Sequence, residues 1–93
     1  MANNGAQQLT TTEAEVYADP DGCTSFQVKV LASAAANALI QVDTLHGSEW
    51  FEIEPGDTVI FRLMHLGIRK IRGKAASGTV DILKGVVAKT QPE

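Results

Sequence analysis

The stretch "EIEPGDTVIFRL", residues 52–63, decides how the chain is read. Its second half alternates: Val59, Phe61 and Leu63 share one parity, and Thr58, Ile60 and Arg62 take the other, the pattern of a strand with one face buried. Its first half is a turn. Pro55 fixes the first central position of a β-turn, Gly56 takes the next with positive φ if the turn is type II, and Asp57 opens the strand.

The same reading extends along the chain. "SFQVKVL" sets Phe26, Val28 and Val30 against Gln27 and Lys29. "ALIQVDTL" sets Ile40 and Val42 against Gln41 and Asp43, "WFEI" pairs Phe51 with Ile53, and "GTVDILKGVVAK" lines up Val80, Ile82, Val86 and Ala88 with Lys84 interrupting the face. Breakers separate these runs at "DPDG" (19–22), "HGSE" (46–49), "EPGD" (54–57), Gly67, Gly73 and "ASG" (76–78). Many short strands at this spacing predict an all-β domain: a small antiparallel β-sandwich or a small jelly-roll barrel. The five alanines of "LASAAANAL" favour a helix, but the segment is too short to hold one, so it reads as a connection with at most one helical turn. In "LGIRKIRGK", Ile68 and Ile71 are three apart, and a bulge or bend near Arg69 and Lys70 is needed to turn both inward.

Ninety-three residues make one domain, which at this size buries about 60–65% of its unfolded surface. The division predicted is a flexible N-terminal arm over 1–8, a β-sandwich over 9–90 and a tail over 91–93. The first eight residues are small and polar, so their removal is expected to leave the isolated fold nearly unchanged.

The motifs exclude more chemistry than they offer. Cupins also carry a Pro-Gly-Asp turn, but they hold a metal with a His-x-His pair, a glutamate and a later histidine, whereas this chain has only His46 and His65, neither with a partner nearby. Cys23, the only cysteine, follows two carboxylates that raise a thiol's pKa. Glu52 and Glu54 share a strand face without an apolar pocket to tune either, and "GIRKIRG" lacks the Lys-Ser/Thr ending of a phosphate loop. No catalytic residue, metal or cofactor is expected. A lone cysteine fits a reducing compartment, and no window has the roughly 20 apolar residues of a membrane helix.

Charge is divided along the chain. Residues 1–61 hold nine carboxylates against Lys29 alone, while 62–93 hold seven basic residues against Asp81 and Glu93. Such asymmetry suits contacts between copies or with an acidic partner, or simply lines solvent-facing edges. Nucleic acid is disfavoured, because the five aromatics are mostly assigned to the core and the pI is near 5.3. The expected protein interface is Trp50 with Glu52 and Glu54 on one outward strand face, together with the basic Arg62, Arg69, Lys70, Arg72 and Lys74.

Four stretches, "NALIQVDTLHG", "IEPGDTVIFR", "GIRKIRGKAASGTVDI" and "GVVAK", spread over roughly residues 24–89, resemble small virion proteins of tailed bacteriophages, the capsid decoration or cement type. The resemblance is one of overall style and carries no functional residue across. It implies a β-sandwich or β-tulip-like module, dimeric or trimeric, made in the host cytoplasm and bound to the outside of an assembled shell on the major capsid protein. A cupin-like or lectin-like small-molecule binding module, or a phage tail or fibre component, is the alternative.

Overall fold

The computed structural model describes residues 4–42, 49–63 and 67–88. They form eight strands: β1 (Gly5–Leu9), β2 (Ala14–Cys23), β3 (Ser25–Val30), β4 (Ala38–Val42), β5 (Phe51–Ile53), β6 (Thr58–Arg62), β7 (Ile68–Ala75) and β8 (Val80–Ala88). They lie in two four-stranded antiparallel sheets, β1-β8-β3-β6 and β2-β7-β4-β5.

The pairing explains the architecture. β1 pairs with β8, β2 with β7, β3 with β6 and β4 with β5, as in one long hairpin whose tip is the β4–β5 connection. Rolled up, the hairpin gains two further ladders, β3 with β8 and β4 with β7, which close it into two sheets. Eight antiparallel strands wound in this way make a jelly-roll β-sandwich. Its inner faces meet in one core that includes Leu9, Tyr17, Phe26, Ile40, Ile71 and Ile82. Tyr17 and Phe26 meet across the two sheets, their rings tilted by 46° with centroids 4.9 Å apart.

Two local readings change. Residues 5–8 are not a mobile arm: they are β1, paired residue for residue with β8 from Gly5 opposite Lys84 to Leu9 opposite Val80, with Leu9 fully buried. A polar edge strand shows no periodicity of its own, because only its neighbour reveals it. "DPDG" does not separate strands either. Ala18 stands opposite Lys70 and Cys23 opposite Ile68, so residues 19–22 stand against Arg69 alone as an irregular bulge inside β2. Gly22 supplies a φ of 76° there. Ile68 and Ile71 are both fully buried although three apart, and the register shift between β2 and β7 falls between them. The 31–37 segment is the connection expected, with a single turn closed by Ala34 N–H donating to the Leu31 carbonyl.

The Pro55-Gly56 turn has the positive φ at Gly56 (90°) that a type II turn requires, and Asp57 N–H donates to the Glu54 carbonyl at 3.0 Å. It is also docked, since Gly56 N–H donates to the Val30 carbonyl and Val30 N–H to that of Asp57. The turn thereby fixes the entry of β6 against the end of β3.

Candidate functional site

On the outer face of the β2-β7-β4-β5 sheet, the strands set Glu15 beside Arg72 and Arg72 beside Gln41, then Lys74 beside Leu39 and Leu39 beside Glu52. The acidic first half of the chain and the basic second half therefore interleave on one surface. Charge segregated in sequence is mixed in space. Arg72 Nη1 lies 3.7 Å from Glu13 Oε1, both side chains well exposed, so this pair contributes little stability. Lys74 Nζ stands 4.5 Å above the centre of the half-buried Trp50 ring, close enough for a cation–π attraction. Asn37 Nδ2 donates to Glu52 Oε2 at 2.8 Å and holds that carboxylate in place.

Of the eight interface residues read from the sequence, Trp50, Glu52, Arg72 and Lys74 come together on this face. Arg69 and Lys70 are exposed further along β7, at the β2 bulge. Glu54 is exposed after β5, beside the turn. Arg62 is exposed on β6, in the other sheet, and takes no part in the cluster.

Phe51 was assigned to the core and is not there. It is 41% exposed, because it sits at the end of the short edge strand β5, and its ring meets that of Phe61 on β6 edge-on at 5.7 Å. The pair bridges the two sheets along the side where β5 and β6 are both edges. Ile60, Leu83 and Val87 are exposed as well, on strands of the β1-β8-β3-β6 sheet. For Ile60 the signal was present, since placing Val59, Phe61 and Leu63 inward sends it outward.

Lys84 is the buried charge, with 7% of its surface exposed. Its Nζ donates to Gln7 Oε1 on β1 and, at 2.6 Å, to the Val16 carbonyl on β2. Gln7 Nε2 in turn donates to the Glu15 carbonyl at 3.1 Å. The clasp joins the two sheets along the β1/β2 side, and its sequence signal was a lysine at an inward position. Burial holds Lys84 below its usual 10.5, with Glu15 partly opposing. Tyr17 is pushed well above 10.0, first by burial and then by the adjacent Cys23 thiol, with Asp19 and Asp21 adding to it.

Among the described residues no cluster of three His, Cys, Asp or Glu side chains is placed to hold a metal ion. His46 and His65, on which a cupin-like site would depend, lie outside the described residues. Among the described residues, one shallow hollow of about 200 Å³ lies over Gly85 between Leu83, Val87 and Gln27, and another of about 350 Å³ beside Gln7, Gln8, Leu31 and Asp81. Both are at or below the low end for small-molecule sites. No helix among the described residues is long and apolar enough to cross a membrane.

The molecule is thus a small jelly-roll sandwich with a tethered mixed-charge face. No family model, curated protein or solved structure matches the chain.

Proposed function

We propose that the chain is a noncatalytic structural protein of a tailed-phage virion, a decoration or cement subunit that associates with its own copies and binds the outside of the assembled shell on the major capsid protein. The observation that carries the reading is the Trp50 face. A large aromatic ring lies under Lys74, beside a carboxylate held by Asn37, on the strands of a sheet. Side chains already held in place lose less entropy when a protein partner covers them, and tryptophan is a frequent anchor of such contacts. The resemblance to decoration proteins supplies the particular setting, because a jelly roll hosts many functions and names none.

The test is antibody labelling of intact virions purified from cells that carry the gene, viewed by electron microscopy. Label over the shell supports the reading. Label confined to tails moves the protein to the tail, and label on no particle overturns the proposal. In the shell-bound case, the double variant Trp50→Ala/Lys74→Glu is expected to weaken attachment about tenfold or more, the effect of losing an anchor.

A further inference from the structure

Among the described residues both sheets end in edges that no further strand pairs with, and three of the four are blunted. β5 has three residues. β2 is interrupted by the bulge at 19–22, which carries Pro20 and so lacks a donor there. β1 opens on Gly5 with φ 115°, contains no β-branched residue, and turns Gln7 across to β2. β6 has none of these protections. Its sequence "TVIFR" is free of Pro and Gly, its register with β3 runs unbroken from Arg62 opposite Ser25 to Thr58 opposite Lys29, and among the described residues no strand pairs with its far side. An unprotected strand of high β-propensity is a template for pairing with another chain.

We infer that β6 is the pairing edge of a two-fold dimer, in which β6 of a second copy adds antiparallel about Ile60 and joins two four-stranded sheets into one of eight strands. Two observations select this occupant. The formal charges at the strand's ends are Asp57 before it and Arg62 at its close, both exposed. Antiparallel pairing about Ile60 puts Arg62 opposite the neutral Thr58 of the other copy and so keeps like charges apart; parallel pairing would stack Arg62 on Arg62 and Asp57 on Asp57. The second is the exposed apolar surface beside the edge. Ile60, 39% exposed, stands on the outer face of β6, and Phe51, 41% exposed, lies against Phe61 on the flank. An added strand covers both. Because a two-fold contact uses the same strand in each copy, the assembly stops at two, whereas pairing β6 with β1 would continue into filaments.

The inference rests on the self-association in the proposed function and specifies its contact. The test is the solution mass of the full chain by light scattering, from low concentration to about 100 µM, where a Kd of about 10 µM leaves most chains paired. A dimer is expected for the wild type and for Leu83→Lys, and a monomer for Ile60→Lys, with circular dichroism confirming that each variant is folded. Ile60→Cys gives a second measurement: Cys23 is buried and is the chain's only cysteine, so the new thiol is the one accessible for cross-linking. Residues on a two-fold axis face themselves, so Ile60→Cys is expected to form a disulfide-linked dimer about tenfold or more faster than Leu83→Cys, the gain of a held neighbour over a collision. A wild-type monomer throughout, a dimer broken by Leu83→Lys but not by Ile60→Lys, equal cross-linking at both positions, or mass that keeps growing with concentration would each overturn the edge. Virion labelling separates the two proposals: a monomer found on shells fails the edge alone, and a dimer absent from virions fails the function alone.

Discussion

The two open sides of the sandwich are closed by opposite means. Along β1 and β2 the closure is polar: Lys84 reaches from the interior to Gln7 and to the Val16 carbonyl, and Gln7 reaches on to Glu15. Along β5 and β6 it is aromatic, Phe51 set edge-on against Phe61. The polar side satisfies its own groups and leaves little for a partner. The aromatic side leaves an exposed ring and, among the described residues, the outer edge of β6 without a pairing strand.

Four measurements would break or sharpen this contrast. The largest effect belongs to deletion of residues 2–8, which removes most of β1 and strips Lys84 of Gln7; a loss of roughly 10 °C or more in Tm is expected, and a Tm within a degree or two of the full chain would restore the dispensable arm. Next is Gly73→Val, in the core just behind the clasp. A Cβ at Gly73 would come within 2.7 Å of Val16, 3.1 Å of Ile40 and 3.2 Å of Leu9, all packed side chains, so overpacking should cost about 1–3 kcal/mol in denaturant unfolding. Gly85→Ala meets only the Asn4 side chain, at 3.2 Å, and should be close to neutral.

Lys84→Met keeps the buried stem and removes the donor, leaving the Val16 carbonyl without it; about 1–2 kcal/mol should be lost near pH 7. Its pH dependence gives a sharper reading. With Lys84 lowered in the folded state, the unfolded chain binds the proton more tightly, so wild-type stability rises with pH from the folded pKa up to 10.5. Tyr17 acts in the opposite sense: the folded state keeps a proton that the unfolded chain releases above 10.0, so stability falls from there upward. The wild type should rise toward pH 10 and then decline, and Lys84→Met should show the decline without the rise. If both proteins rise alike, Lys84 is not the titrating group.

Apart from the near-neutral Gly85→Ala, the smallest effect should come from Phe51→Ala. An exposed edge-on pair contributes about 0.5–1.5 kcal/mol beyond area, so the monomer should lose little stability, while association through β6 should weaken measurably by light scattering. A loss above about 3 kcal/mol would make Phe51 part of the core after all.

Much of this was legible before any coordinates. The parities of Phe26, Val28 and Val30 and of Val80 and Ile82 named buried faces, because a half-buried strand must alternate. The Pro55-Gly56 turn was readable for a similarly local reason: few residues other than glycine tolerate that φ. β1 was hidden, since "GAQQL" earns its strand only by pairing with β8 seventy-odd residues away. The Trp50 cluster was half legible: Trp50 and Glu52 share a parity, but Lys74 arrives across β4, and Arg62 left for the other sheet.

By itself, then, the sequence determined the all-β class, the turn at 54–57, most of the core and the lack of a recognisable catalytic motif, because each depends on neighbours a few residues apart. Only the tertiary structure decided that the strands roll into a jelly roll, that Lys84 is buried with partners, that divided charge becomes a mixed face, and that the outer edge of β6 meets no strand among the described residues. Those outcomes rest on pairings between distant segments, and backbone hydrogen bonds, which make them, are the same for every residue type but proline.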